Sequence, residues 1–240
     1  CTELDADFAA QRIKKLSLWE AIKNAITGGK GNKHKTLVDQ FAYPLGGTGM
    51  VYERMEKYGN EHGGKVILNA PVKRVISENG KVTALELENG EIKKYDHVIS
   101  SMPISLLVTR LPEVPKEISE LAQSLKFRNT ILVYLEVNAK DLFPDNWLYV
   151  HSSDLQMGRI TNFRNWVPEI NKGKDTTVVV LEYWCYDEDK IWKDNDETLI
   201  ALGEEELKKT GLTGNAEVTR GYIHRIPRCY PVYSRGYKDQ

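Results

Sequence analysis

The run from Thr176 to Tyr186 (TTVVVLEYWCY) is the most apolar stretch of this chain, and it restricts the fold more than any other feature. Its β-branched and aromatic residues suit a pleated surface. A strand apolar on both faces must be flanked by other strands and covered by another layer. The chain therefore needs a sheet with this segment near its centre. Thr130–Val137, Trp147–His151, Gly158–Phe163 and Glu217–Arg225 supply the other strands. Helices are predicted over Ile118–Leu125 and Asp196–Thr210, the second capped near Asp194 or Asp196 and stopped by Gly211. The expected class is α+β, with a mixed, mostly antiparallel sheet carrying helices on one face.

The first half has another texture. Phe8, Ile13, Leu16, Trp19, Ile22 and Ile26 recur at three- and four-residue steps, so 7–26 reads as an amphipathic helix ended by Gly28-Gly29. A polar loop follows at 30–35, and a helix near 49–62 is closed by Gly63-Gly64. Val66–Leu68 reads as a short strand. Val72–Ser77, Val82–Leu87 and Ile92–Tyr95 form a meander with turns at Glu78-Asn79-Gly80 and Asn89-Gly90, and His97–Ser101 reads as a further strand stopped by Pro103.

Bulk properties mainly exclude. A formal net charge of −1 over 240 residues argues against nucleic acid or an anionic membrane as partner. No run approaches the length of a membrane span. Cysteines at 1, 185 and 229 fit neither a disulfide framework nor a zinc site, and predict a reduced, cytoplasmic setting. The five histidines stand at no ligand spacing, so no metal is expected. The opening Cys1-Thr2-Glu3-Leu4-Asp5 lacks a Met and leads us to expect a chain that begins inside a longer protein.

Gly46-Gly47-Thr48-Gly49 opens a helix but follows Tyr43-Pro44 rather than an apolar strand, so it is neither a dinucleotide fingerprint nor a Walker loop. It is a glycine turn capping a helix, or a place where backbone approaches a flat or anionic ligand. Trp166, Tyr183, Trp184, Tyr186 and Trp192 are core aromatics or one wall of a sugar site. Glu182 and Asp187-Glu188-Asp189 read as a solvated turn.

Three segments in order, Phe41-x-Tyr-Pro-x-Gly-Gly-Thr-Gly-Met50, Asn69-x-Pro-Val72-x-x-Val75 and Val98-Ile-Ser-Ser-Met-Pro103, resemble flavin-containing amine oxidases, protoporphyrinogen oxidases and UDP-galactopyranose mutases. Gly158-Arg-Ile-x-Asn-Phe-x-Asn-Trp-x-Pro168 and Tyr230-Pro-Val-Tyr233 are similar to mutase-like members. The resemblance implies FAD as cofactor of the parent protein, contacted at Gly46, Gly47, Thr48, Gly49 and Val72. It implies a substrate side at Met50, Arg159, Asn162 and Tyr230, with Arg159 and Tyr230 on the diphosphate of a nucleotide sugar, and a place in cell-envelope polysaccharide biosynthesis. It leaves the catalytic residues unknown. An arginine fork and a phenol are both suited to phosphate oxygens. Residues 1–35 would then be a helical segment, 36–103 a partial FAD-binding domain containing the meander, 104–228 the substrate-binding domain, and 229–240 a tail leading to a further FAD-binding segment. With no FAD fingerprint of its own, the chain is expected to be inactive and colourless alone, and to self-associate through the partial FAD domain. An amine or porphyrinogen oxidase fragment and a non-enzymatic binding module are the alternatives.

Overall fold

The computed structural model describes residues 42–237, so the predicted helix at 7–26 and the loop at 30–35 lie outside it. In chain order the elements are α1 (Gly49–Glu61), β1 (Val72–Glu78), β2 (Lys81–Leu87), β3 (Ile92–Lys94), α2 (Ile104–Val108), α3 (Lys116–Ser124), β4 (Phe127–Val137), β5 (Trp147–Tyr149), β6 (Arg159–Asn162), α4 (Phe163–Trp166), a 3-10 turn (Pro168–Asn171), β7 (Thr177–Cys185), α5 (Lys190–Lys193), α6 (Asp196–Thr210) and β8 (Val218–Pro231). Among the described residues two compact units result: 42–50 with 127–237, and Val51–Lys126.

The first unit is a five-stranded sheet in the order β5-β6-β7-β4-β8, antiparallel at every pair. The apolar run is β7, and it is central as expected. Alternation along β4 and β7 sends Ile131, Val133, Leu135, Val179, Leu181 and Tyr183 to one face, where they are at most 1% exposed. Helix α6 covers that face with Leu199 and Leu207. Gly203 permits the close approach: a Cβ there would stand 2.8 Å from Val133 Cγ1. Asn195 caps α6 by accepting from Thr198 N at 2.9 Å, and Gly211 at φ 71° ends it. The α+β class with a helix on one face of an antiparallel sheet is thus the observed one.

Strand β8 runs to Pro231, beyond the predicted end at Arg225. The stretch Ile226–Tyr230 lies opposite only Thr130–Arg128, so β8 bulges there and re-enters the ladder. Pro227, which lacks an N–H, and Arg228, at φ 53°, fall within that bulge.

The second unit contains the meander β1-β2-β3, also antiparallel. Asn79 and Gly80 both have positive φ (52° and 76°), which matches the twist of a two-residue hairpin turn. Glu86, 8% exposed on β2, accepts from Lys73 Nζ at 3.0 Å and from Arg74 Nε. Arg110 ties the segment after α2 to β1: its Nε donates to Val72 O at 2.6 Å and its carbonyl accepts from Val75 N at 2.8 Å. Two predicted strands are absent. Val66–Leu68 and His97–Ser101 pair with no strand among the described residues, and Leu68 and Ile99 stand 75% and 98% exposed. A strand is defined by its ladder, so an apolar β-branched run without a neighbour is only extended chain. Among the described residues no helix is long and apolar enough to cross a membrane.

Candidate functional site

Register places two adjacent rows of side chains across the sheet face opposite α6. One row is Trp147, Thr161, Val180, Tyr134 and Tyr222; the next is Tyr149, Arg159, Glu182, Leu132 and His224. Tyr222 and Tyr149 are 64% and 57% exposed. The exposed aromatics of this face thus stand on the two edge strands, while Thr161, Val180 and Glu182 in its middle are at most 8% exposed, with one ion pair there. Arg159 meets Glu182 as a fork: Nε to Oε1 at 2.6 Å and Nη2 to Oε2 at 2.7 Å. Its guanidinium carbon lies 5.8 Å from the Tyr149 ring centroid. Tyr134 and Tyr222 rings are 5.9 Å apart. Burial pushes the Tyr134 hydroxyl above its ordinary pKa, and the charge of Glu182 pushes it the same way.

The glycine turn is attached to this face through aromatic contacts. Tyr43 packs on Trp166 at 5.3 Å, and Trp166 stacks on Trp147 at 5.4 Å. Gly47 N donates to Pro44 O at 2.9 Å, closing a tight turn with Gly47 at φ 84°. Of the three glycines in the turn, Gly47 alone has a positive φ. A Cβ at Gly49 would meet nothing within 4 Å, and one at Gly47 only Ile170 Cδ1 at 3.9 Å. Gly47 and Gly49 thus present uncluttered backbone, which suits a flat ring laid against it, whereas a Cβ at Gly46 would stand 3.0 Å from Met50 Sδ. Thr48 is exposed and Met50 half-buried, its N–H donating to Gly47 O at 3.2 Å.

The other site residues fall differently. Val72 begins β1 in the second unit, and its carbonyl is occupied by Arg110. Asn162 is 1% exposed; its Oδ1 accepts from Arg164 N at 3.1 Å as the cap of α4, and its Nδ2 donates to Phe143 O at 3.2 Å. Both ends of that side chain serve the fold. Arg159 and Tyr230 share a sheet face by register, but they are not brought together. Tyr230 pairs with Arg128 on β4, three strand spacings across from β6 and four residues along from Leu132, or about 20 Å at usual strand dimensions. Sequence reading missed Tyr149, Tyr134, Tyr222 and Arg128. They become visible only when the strand registers are known. Among the described residues, no group of His, Cys, Asp and Glu is placed to hold a metal.

An antiparallel sheet with α6 on one face and a glycine turn packed beside it defines an α+β class. Residues 16–234 match the sequence pattern of flavin containing amine oxidoreductases, and the chain belongs to that family. Among solved structures, reduced UDP-galactopyranose mutase aligns over 98% of this chain and 50% of its own, at 18% identity and a TM-score of 0.74. A protoporphyrinogen oxidase from Exiguobacterium sp. 255-15 aligns over 80% of this chain and 41% of its own, at 21% identity and TM-score 0.63. A redesigned putrescine oxidase aligns over 80% and 43%, at 18% identity and TM-score 0.56. At such identities the likeness shows the shared fold, and the chain spans half or less of each structure. Comparison with curated proteins finds no match.

Proposed function

We propose that the open sheet face is the substrate side of a flavin site in a FAD-dependent, UDP-galactopyranose-mutase-like enzyme, and that this chain supplies that side without retaining FAD by itself. The observation that carries the reading is the stack Tyr43–Trp166–Trp147, which fixes the glycine turn beside the exposed β5 aromatics Trp147 and Tyr149. When bound, FAD would supply the flavin chemistry of the reaction, and the residues of this chain orient the substrate against it. Gly46, Gly47 and Gly49 let backbone approach the ring, Thr48 adds an exposed hydroxyl, and Met50 borders the cavity side. Trp147, Tyr149 and Tyr222 offer flat apolar surface with polar edges, the combination that grips a sugar ring. Arg159 is held by Glu182 in one orientation and presents its remaining N–H groups to an acceptor. The same fork disfavours a cationic amine substrate, because the carboxylate that would attract it is already neutralised. A nucleotide-sugar substrate implies a cytoplasmic enzyme of envelope polysaccharide synthesis.

The test is kinetic, in the FAD-bound enzyme that contains this chain. Tyr149→Ala is expected to raise KM for UDP-galactopyranose at least about tenfold, the loss of about 1.4 kcal/mol of contact, with the flavin spectrum unchanged. Hydrogen peroxide production from amines, with no turnover of UDP-galactopyranose, would instead establish the oxidase alternative. The isolated 240-residue chain is expected to purify colourless; stoichiometric yellow flavin would refute that part.

A further inference from the structure

We infer that Glu206 is a positioning residue for the sheet face opposite α6: from the helix side it anchors the β5–β6 loop and so holds Tyr149 over Arg159. This rests on the reading of that face as the substrate side. The loop, residues 150–158, joins two strands whose last cross-strand pair is Tyr149 and Arg159. It forms no helix or strand, and residues 151–154 and 156 are exposed. Glu206, 2% exposed on α6, reaches it with both carboxylate oxygens. Oε1 accepts from Gln156 N at 2.6 Å; Oε2 accepts from Met157 N at 3.1 Å and from Tyr183 Oη at 3.0 Å. Among the described residues, the only other amide of 151–157 with an acceptor is that of Asp154, 3.4 Å from the Ser152 hydroxyl. One side chain thus supplies nearly all the polar anchoring of an exposed loop.

The link from Glu206 to Tyr149 is short. Gly158, next after Met157, donates to Glu182 O at 2.9 Å and accepts from Val150 N at 3.0 Å, which closes the hairpin one residue beyond Tyr149. A Cβ on Gly158 would stand 1.9 Å from Trp184 Cζ3, so the Trp184 ring lies against the chain there. Displacement of 156–157 therefore moves Gly158 and, through Val150, Tyr149. Arg159 is held independently by its fork to Glu182. Tyr149 stands on β5, a strand of 3 residues at the sheet edge that takes its position from β6 and the loop. The 5.8 Å approach of its ring to the guanidinium depends on that hairpin. The residue type at 206 matters. A carboxylate offers two acceptor oxygens and no donor, whereas a carboxamide offers one oxygen and turns an NH₂ group toward the other donor. Glutamine at this position therefore cannot hold both loop amides.

The test separates positioning from stability. Glu206→Gln and Tyr183→Phe each disturb the same buried carboxylate, but only the first frees a loop amide. In the purified full chain without flavin, protection of the Val150 and Gly158 amides is measured by hydrogen exchange, relative to amides of β4 and β7. That ratio removes any change in global stability. Glu206→Gln is expected to lower the ratio about tenfold or more, and Tyr183→Phe less than about twofold. In the FAD-bound enzyme containing this chain, Glu206→Gln is expected to raise KM for UDP-galactopyranose about three- to tenfold, with kcat within about twofold. Added to Tyr149→Ala it should raise KM less than about twofold further, because both changes remove one contact. If Glu206→Gln does not fold, Gln156→Pro, which deletes one of the two loop donors, takes its place. A ratio that falls no more in Glu206→Gln than in Tyr183→Phe overturns the proposal, as do an unchanged KM or additive KM effects. The exchange arm reads neither FAD nor turnover, so it can succeed where the mutase-like reading fails, and fail where that reading holds.

Discussion

At the scale of single residues, several positions are fixed by neighbours far away in sequence. A Cβ on Gly158 would stand 1.9 Å from Trp184 Cζ3, so Gly158→Ala must displace a large ring or bend β6. We expect it to destabilise the chain by about 2–3 kcal/mol, measured as a lowered urea midpoint. Gly47→Ala, at φ 84° but in open space, should cost only the left-handed backbone penalty of about 1–2 kcal/mol. Glu206 of α6 is 2% exposed and accepts from Gln156 N at 2.6 Å, Met157 N at 3.1 Å and Tyr183 Oη at 3.0 Å. It locks the loop before β6 to the helix. Glu206→Gln places an amide where acceptors are required and should cost about 2–3 kcal/mol. Cys185 is buried, which pushes its thiol up to about 11 from an ordinary 9.0. Above pH 9 the unfolded chain loses this proton while the folded chain keeps it, so stability falls with rising pH between about 9 and 11. Cys185→Ala should lack that part of the fall in pH-dependent urea curves. Gly47 was legible beforehand, since a glycine-rich turn announces itself locally. Gly158 and Glu206 were not, because an interior glycine and a charged helix position acquire meaning only from the ring or loop packed against them.

At the scale of elements, local periodicity carried much of the fold. β7, β4, the meander and α6 lie where apolar alternation and helical spacing put them, because each is amphipathic or apolar on its own account. The failures have one cause. His97–Ser101 and Val66–Leu68 have strand composition, but a ladder requires a second strand, and none of the described residues supplies it. The reverse holds for β8, whose Pro227 reads as a terminator until the bulge opposite Thr130 shows how the strand continues. The meander carries its own charge lock. Hydrogen bonds from Lys73, then Arg74, hold the Glu86 carboxyl below its ordinary 4.5. A lowered carboxylate pKa stabilises above the unfolded value and is lost as pH falls through the folded one. Protection factors of the β1 and β2 amides, corrected for the intrinsic exchange rate, are therefore expected to fall as pH drops below about 4.5 in the wild type and to respond less in Glu86→Gln.

At the scale of the whole molecule, the two units differ in completeness. The sheet unit has a closed core under α6. The Val51–Lys126 unit leaves Val66, Ile67, Leu68, Ile99 and Ile104 between 44% and 98% exposed. Such apolar surface favours association, and we expect concentration-dependent self-association of the isolated chain in sedimentation velocity; a clean monomer at high concentration would argue against it. Of the candidate site, the glycine turn, Arg159 and Tyr230 were expected from the sequence. It did not disclose that Arg159 is held by Glu182 or that Tyr230 faces Arg128, since pairing across strands is decided by register and not by motif. The most direct measurement is a structure of the FAD-bound enzyme containing this chain with UDP-galactopyranose. The account predicts the sugar on the open face, with side-chain atoms of Tyr149 and Trp147 within about 4 Å of it. A substrate seated away from the rows of β5–β8 would contradict it.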